Sequence, residues 1–198
     1  MKKSIYIFSL LALSLTLNSC FSTSGESTLD KLIAPTVEYD VVKIQDLYSM
    51  RIPTFMTVST QLQEDASLQY NNPFKEKYIT VLDEEREEIM SFMNDYGVYD
   101  ESKSQLENYV DTRLSYLTES GISVTNQTEL KSKMINGRKA YSIVIDANVP
   151  DIDQDITYFF TYLEGKDHFY MISSWTLYDR KDGYKEEVET MVKSFKEL

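Results

Sequence analysis

Three aspartates alternate along the chain at Asp151, Asp153 and Asp155, a spacing at which carboxylates can chelate Ca²⁺ when a loop wraps them around the ion. An EF-hand loop beginning at Asp151 needs glycine at its sixth position and glutamate at its twelfth. The chain has Ile156 and Tyr162 at those positions. The pattern therefore fails as an EF-hand, and a solvated acidic hairpin tip is the competing interpretation. We predict no metal and no other cofactor, with these three aspartates as the candidate metal ligands.

Cysteine and histidine each occur once, as Cys20 and His168. A single copy of each cannot assemble a Cys/His zinc site or an internal disulfide. A Ser–His or Cys–His pair would have to use His168, and no Gly-x-Ser-x-Gly motif supplies a nucleophile. We therefore predict a protein without catalytic residues. A hydrolase that uses carboxylates alone is the remaining enzymatic alternative, and no pair among the 32 acidic residues is singled out.

The N-terminal segment 1–19 has the features of a secretory signal. Lys2 and Lys3 supply its positive charge, and the apolar stretch 5–17 is shorter than the roughly 20 residues of a membrane-spanning helix. The segment ends in Leu17-Asn18-Ser19-Cys20, which resembles the lipobox of bacterial lipoproteins. This resemblance implies cleavage before Cys20 and modification of its thiol with a diacylglycerol, together with an N-acyl chain such as palmitate. An ordinary cleaved signal with an incidental cysteine is the alternative.

A lipid on Cys20 would leave the rest of the chain tethered to a membrane, because two or more acyl chains anchor a protein stably. Residues 20–36 are predicted to be the lipidated cysteine and a flexible tether, and 37–198 a single domain. No aspartate follows Cys20, which by resemblance to enterobacterial sorting favours the outer membrane. The run of acidic residues that tags some surface-exported lipoproteins is also absent. We therefore predict an outer-membrane lipoprotein that faces the periplasm, with the cell surface as the alternative.

The formal charge of the chain is −12, and removal of segment 1–19 takes two lysines away and makes it more negative. Such a chain repels phosphates, so nucleic acid is excluded as a partner. It attracts basic surfaces instead. The acidic run from Asp83 to Glu88 is one place where a cation or a basic partner could bind, although such runs at the start of a helix also stabilise the helix dipole.

The domain must position these groups through an α+β arrangement, an antiparallel β-sheet flanked by helices. Alternating residues predict strands over 37–44, 48–53, 67–70, 78–82 and 123–130, followed by a hairpin at Asn136-Gly137 and a meander from Tyr141 to Trp175 with one wet face and one buried face. Helices are predicted over 84–93, from a capping box at Ser102 and Gln105 to Gly121, and over 183–196 with Asp182 as N-cap. The last helix should bury Tyr184, Val188, Met191, Val192 and Phe195.

Aromatic residues are the most conspicuous part of the composition, with 15 Tyr, 9 Phe and 1 Trp. Alternation assigns Tyr158, Phe160, Tyr162, Phe169 and Trp175 to the core of the meander. The intervening Phe159 and Tyr170, together with Tyr178, would form an exposed aromatic surface if no helix covered their face. Because Tyr and Trp are enriched at binding hot spots, we treat Phe159, Tyr170 and Tyr178 as a candidate interaction surface, with covered core as the alternative.

The order of elements resembles a known fold. The chain has a strand ending in Ile52-Pro53, a helix containing Leu106-Glu107-x-Tyr109, a hairpin entry with Gly137, Ala140 and Tyr141, and a terminal helix closing on Ser194-Phe195-Lys196. Over residues 37–198 this is similar to the PsbP-like α/β/α sandwich of photosystem extrinsic proteins, DcrB-type bacterial lipoproteins and a Ran-binding nuclear-import factor. The resemblance implies a protein that binds, stabilises or assembles other proteins, and it implies no catalytic residue.

The sequence is compatible with two functions. The first is a non-catalytic, membrane-anchored lipoprotein that acts as a protein-binding or assembly module of the bacterial cell envelope, with another envelope protein as its partner. The second is a carrier lipoprotein for a small ligand or a cation, which would need a cavity with a few convergent polar groups.

Overall fold

The computed structural model describes residues 36–198, so the signal segment 1–19, Cys20 and nearly all of the predicted tether 20–36 lie outside the described residues. Three α-helices and eleven β-strands occur in the described part of the chain. The strands are β1 (Tyr39–Ile44), β2 (Tyr48–Pro53), β3 (Thr57–Val58), β4 (Leu68–Asn72), β5 (Lys77–Glu85), β6 (Ser123–Gln127), β7 (Lys131–Ile135), β8 (Arg138–Asn148), β9 (Ile156–Glu164), β10 (His168–Leu177) and β11 (Lys196–Glu197). The helices are α1 (Arg86–Asp95), α2 (Gln105–Glu119) and α3 (Lys181–Ser194), and α3 follows a 3₁₀ turn (Tyr178–Arg180).

The main sheet is antiparallel and has the strand order β3-β4-β5-β10-β9-β8-β6, with β7 also paired to β8. Antiparallel connections alternate between its two ends. The turns 136–137 and 165–167 lie at one end, which we call the turn end. The turn 73–76, the loop 149–155 and the 3₁₀ turn lie at the opposite end, which we call the loop end.

The two faces of the main sheet are covered by different elements. Helix α2 packs on one face and buries Leu106, Tyr109 and Val110 against β8, β9 and β10, with α1 beside it; we call this the α2 face. Helix α3 and the strand β2 cover the opposite face, the α3 face, where Tyr184 and Met191 are fully buried. The expected α+β class, an antiparallel sheet flanked by helices, is confirmed.

A second, three-stranded sheet of order β1-β2-β11 completes the α3 face. Its strand β2 contributes Tyr48, Met50 and Ile52 to the buried cluster beneath α3. Phe195 directly follows α3, and its ring stacks on that of Tyr48 at a centroid distance of 5.1 Å. The C-terminal residues therefore close the core on this side, as the predicted buried face of the last helix requires.

The main sheet differs from the predicted meander because both of its faces are covered. Most of β9 and β10 is buried on both sides, so the expected wet face does not exist along the centre of these strands. The predicted strand 123–130 ends earlier, at Gln127, as β6, and a separate strand that was not predicted, β7, follows it. Both pair with successive parts of the long strand β8. The hairpin at Asn136-Gly137 is confirmed, with φ of 46° and 84° as its two-residue turn requires.

The starts of all three helices differ from the predictions. Helix α1 begins at Arg86, because Glu84 and Glu85 continue β5 along its pairing with β10. The capping box of α2 uses Ser104 and Glu107 instead of Ser102 and Gln105. Helix α3 begins at Lys181, directly after the 3₁₀ turn, and Asp182 lies within its first turn.

Candidate functional site

Three aromatic side chains form a row across neighbouring strands on the α2 face. Trp175 of β10 is paired directly with Tyr78 of β5 on one side and with Tyr158 of β9 on the other. The rings of Tyr78 and Trp175 are stacked, with centroids 5.3 Å apart and planes 6° apart, and the rings of Trp175 and Tyr158 are 6.2 Å apart. We call these three residues the aromatic row.

The aromatic row is half-buried because α2 covers a different part of the sheet. Helix α2 packs on Tyr162 and Phe169, which lie nearer the turn end. Tyr158 touches the edge of this buried cluster, while Trp175 belongs to neither of the two buried clusters found within residues 36–198. Rings that keep an exposed face on a rigid sheet are available to a binding partner at little cost in conformational entropy.

The two tyrosine hydroxyls of the row, those of Tyr78 and Tyr158, are neutral at physiological pH. The Tyr78 hydroxyl donates a hydrogen bond of 3.0 Å to the Glu76 carboxylate. Burial raises the pKa of Tyr78, and this hydrogen bond to Glu76 raises it further. Burial also raises the pKa of Tyr158.

The sheet surface beside the aromatic row contains a serine hydroxyl without a hydrogen-bond partner among the described residues. Ser173 lies two residues before Trp175 on the same face of β10, is 5% exposed, and its Oγ makes no hydrogen bond to any described residue. Its cross-strand neighbour Thr80 donates to Gln63 Oε1 at 3.1 Å. The Ser173 hydroxyl, next to the aromatic row, can therefore still form a hydrogen bond with a ligand or partner.

Exposed apolar side chains lie in the turns at the loop end, the same end of the sheet as the row. Phe74 in the turn 73–76 is 96% exposed, and Ile152 and Tyr178 are also exposed. The Lys181 ammonium lies 3.9 Å from the centroid of the Tyr178 ring, so this end of the molecule already holds one cation over an aromatic face.

Two of the three residues predicted to form an exposed aromatic surface are buried. Phe159 is 7% exposed and Tyr170 is 1% exposed, because both point to the α3 face. There Phe159 meets Tyr184 of α3, and Tyr170 packs against Phe195. Only Tyr178 is exposed as predicted.

The error concerns which side chains keep an exposed edge. Alternation correctly separates Phe159 and Tyr170 from Tyr158 and Trp175, but it does not say which of the two sets a helix covers completely. The apolar residues of β2 and the terminal helix are the signal that could have shown it, because together they require an apolar sheet face to pack against. The aromatic row is therefore built from residues that alternation alone assigned to the core.

The three alternating aspartates lie in the exposed loop between β8 and β9. The Asp155 carboxylate accepts a hydrogen bond from the Asn148 amide. Within residues 36–198, no three His, Cys, Asp or Glu side chains converge as metal ligands. The structure therefore does not bring Asp151, Asp153 and Asp155 together as a ligand set, and their carboxylates contribute negative charge to the loop end.

His168 and the acidic run lie at the turn end, far along the sheet from the aromatic row. His168 begins β10 and lines an open cleft of about 670 Å³ together with Glu85, Glu87 and Asp167. Glu84 has a structural role instead, since it pairs with Arg113 of α2 and accepts a hydrogen bond from the Tyr109 hydroxyl.

Comparison with known proteins identifies the fold. No protein-family model and no curated protein matches the chain. Among solved structures, cyanobacterial PsbP (CyanoP) from Synechocystis sp. PCC 6803 is similar with a TM-score of 0.55 and 13% sequence identity, over 83% of this chain and 95% of that one. The fold is PsbP-like. At this sequence identity the similarity shows the fold alone.

Two further solved structures resemble the PsbP-like chain more loosely. The Ran-binding protein Mog1p of Saccharomyces cerevisiae has a TM-score of 0.47 at 14% identity, over 81% of this chain and 96% of that one. LpqN of Mycobacterium tuberculosis, which is involved in cell envelope biogenesis, has a TM-score of 0.47 at 7% identity, over 87% of this chain and 98% of that one. None of the helices within residues 36–198 is long and apolar enough to cross a bilayer.

Proposed function

We propose that this PsbP-like chain is a lipid-anchored, non-catalytic binding module of the bacterial cell envelope, and that it binds a basic protein partner through the aromatic row. The half-buried row of Tyr78, Trp175 and Tyr158, in which the first two rings are stacked, is the observation that carries this proposal. Three rings on three neighbouring strands extend over about 10 Å at the usual strand spacing, the size of a hot-spot patch in a protein interface.

Charge supports a basic partner. The chain carries a formal charge of −12, and four of its acidic residues lie at the loop end beside the row: Glu76, Asp151, Asp153 and Asp155. Complementary charge accelerates association and excludes acidic competitors, while the buried aromatic contacts provide most of the affinity. The Lys181 ammonium over the Tyr178 ring supports this proposal, because a lysine or arginine of a partner could make the same kind of contact with the rings of the row.

The lipobox-like sequence supports the anchor. If Cys20 carries the lipid, the PsbP-like domain is confined to a membrane surface and meets partners at a raised local concentration.

The test is a pull-down of the tagged full-length chain from detergent-solubilised native membranes, with bound proteins identified by mass spectrometry. We compare the parent with Trp175→Ala, Cys20→Ala and Tyr96→Ala. Tyr96 is 71% exposed and lies outside the row, so its variant controls for the loss of any surface aromatic ring.

We expect a stoichiometric partner that is retained by the parent and by Tyr96→Ala, is lost with Trp175→Ala, and is weakened with Cys20→Ala. The partner should have a basic surface, and its retention should fall as salt is raised. A partner retained equally by Trp175→Ala would refute the role of the row. If the Cys20→Ala protein is released from membranes but Trp175→Ala retains the partner like the parent, the result supports the lipid anchor and not the role of the row.

The alternative function, a carrier for a small cation, is favoured by one observation. The cleft of about 670 Å³ at the turn end is lined by Glu85, Glu87 and Asp167, opposed by a single arginine. Spermidine is a suitable probe, and saturable thermal stabilisation of the full-length chain that is lost with Glu85→Gln/Glu87→Gln would support this function. Equal stabilisation of the double variant would exclude it.

A further inference from the structure

A second open cavity at the turn end has the opposite charge from the rest of the molecule. It has a volume of about 330 Å³ and lies between the turns 136–137 and 165–167. Its lining consists of four cationic side chains, one carboxylate and two glycines: Arg86, Arg138, Lys139, Lys166, Glu164, Gly137 and Gly165. In a chain with a formal charge of −12, four cations around one cavity require an explanation.

The two arginines of the cavity are fixed in place. Arg86 donates to Glu164 Oε1 at 3.3 Å and to the carbonyl oxygens of Gly165 and Lys166. Arg138 is paired with the nearly buried carboxylate of Glu197. Each guanidinium has five N–H donors, so these contacts hold the groups rigidly and still leave donors for a ligand.

The two lysines have little role in holding the fold. Lys139 has no carboxylate within ion-pair distance among residues 36–198, and its ammonium lies 5.2 Å from the centroid of the Tyr141 ring. The Lys166 side chain is 78% exposed, and its nearest carboxylate is that of the similarly exposed Asp167 at 3.5 Å. Exposed pairs of this kind contribute little stability, so both ammonium groups can turn to a ligand.

The turn at Gly137 leaves room for that ligand. Gly137 has a φ of 84°, and a Cβ built on it would meet no atom within 4 Å. Three carboxylates near the cavity are each paired with one of its cations: Glu164 with Arg86, Glu197 with Arg138 and Asp167 with Lys166. The four cations of the lining therefore outnumber these carboxylates by one. The open space therefore lies among positive groups with unused donors.

We propose that this cavity binds a phosphate group. A phosphate offers several acceptor oxygens at once, which matches two fixed guanidinium groups and two mobile ammonium groups better than a single carboxylate would. The same chemistry is present in inorganic phosphate or a phosphomonoester and in the phosphodiester of an anionic lipid headgroup. The proposal is independent of the aromatic row, which lies at the opposite end of the sheet.

The experiment is an NMR titration of the full chain carrying Cys20→Ala, in detergent and in a phosphate-free buffer. One arm adds inorganic phosphate, a second adds glycerophosphoglycerol as the soluble diester of a lipid headgroup, and a third adds chloride at matched ionic strength. The amide signals of Gly137 and Gly165 report on the cavity. Lys139→Gln/Lys166→Gln is the test variant. Lys75→Gln/Lys185→Gln removes two exposed lysines elsewhere as the matched control.

We expect saturable shifts of both glycine amides with at least one phosphate compound and none with chloride. The test variant should weaken this binding about tenfold or more, the change expected from losing ammonium hydrogen bonds to an anion, while the control variant stays within about twofold. Tighter binding of inorganic phosphate indicates a free phosphate or monoester, and tighter binding of the diester indicates a lipid headgroup. Shifts that do not saturate, that chloride reproduces, or that the test variant leaves unchanged would overturn the proposal.

Discussion

Asp146 of β8 is a buried carboxylate whose removal should lower the stability of the domain. It is 3% exposed, and its carboxylate accepts hydrogen bonds from Thr157 at 2.6 Å, Lys181 at 2.9 Å and Asn126 at 3.2 Å. These contacts tie β8 to β9, to β6 and to the start of α3. The same lysine lies over the ring of Tyr178, so Asp146 also fixes part of the loop end.

The size of the effect follows from what each substitution leaves behind. Asp146→Ala removes three hydrogen bonds to a charged group and leaves the fully buried Thr157 hydroxyl without its acceptor, whereas Lys181 keeps some access to water. At about 1–3 kcal/mol for each buried group left unsatisfied, we expect a loss of about 3 kcal/mol in the free energy of unfolding. Asp146→Asn keeps the shape and an acceptor for Thr157, so we expect a loss of about 1 to 1.5 kcal/mol.

Urea unfolding followed by far-UV circular dichroism measures these losses, using the full chain carrying Cys20→Ala as the parent. Asp153→Ala, in the exposed loop 149–155, is the matched control and should stay within about 0.5 kcal/mol of the parent. The reasoning is refuted if Asp146→Ala is as stable as the parent, or if Asn costs as much as Ala at this position.

The pH dependence gives an independent check on Asp146. Burial alone would raise the pKa of this carboxyl, but the hydrogen bonds from Thr157, Lys181 and Asn126 outweigh burial and lower it below its ordinary value. A carboxyl whose pKa is lower in the folded state stabilises the protein above the unfolded pKa of about 3.9, and this stabilisation disappears as the pH falls. The difference in stability between the parent and Asp146→Asn should therefore shrink between pH 7 and pH 3.

Three further predictions concern the rest of the domain. Hydrogen bonds from Ser104 hold the pKa of Glu107 at about 2, so NMR titration of this carboxyl should show a midpoint well below 4, and stability that depends on it should be lost as the pH falls from about 4.5 towards 2. Gly165→Ala should lower the midpoint of thermal unfolding, because the added Cβ would lie 2.6 Å from Tyr170 Cε2. Gly183→Ala is the contrasting variant, since a Cβ at this position inside α3 would meet no atom within 4 Å, and it should stabilise the protein by about 0.5–1 kcal/mol in the same assay. Phe195→Ala should cost about 3–5 kcal/mol in urea unfolding, because this ring is 1% exposed between the two sheets.

Much of the fold follows from local sequence patterns. The strand Tyr48–Pro53, the turn at Asn136-Gly137 and the buried face of the terminal helix were all predicted, since each depends on residues close together in the chain. The capping box of α2 shows the limit of such patterns. Ser-x-x-Gln from Ser102 and Ser-x-x-Glu from Ser104 are both acceptable boxes, and the second is the one whose glutamate also accepts a hydrogen bond from the distant Tyr141 hydroxyl.

The aromatic character of the candidate site was predicted from the sequence, but most of its residues were not. An aromatic surface was expected, and the structure has half-exposed aromatic rings, but on the α2 face instead of at Phe159 and Tyr170. Which strand face remains partly open depends on where helices and the second sheet pack, and these are contacts between residues far apart in the sequence. The phosphate cavity has no sequence signature for the same reason, because its arginines and lysines come together only when two turns meet at the turn end.

The aromatic row has a practical consequence, since Trp175 is the single tryptophan of the chain. Its half-exposed indole, stacked on Tyr78 and next to the tilted ring of Tyr158, makes intrinsic fluorescence a selective reporter of this one surface. A molecule that covers the row would shift the emission to shorter wavelength and protect the indole from quenching by acrylamide, without any label. A molecule that binds at the turn end would leave both signals unchanged. The protein thus carries its own spectroscopic means of telling apart ligands for its two ends.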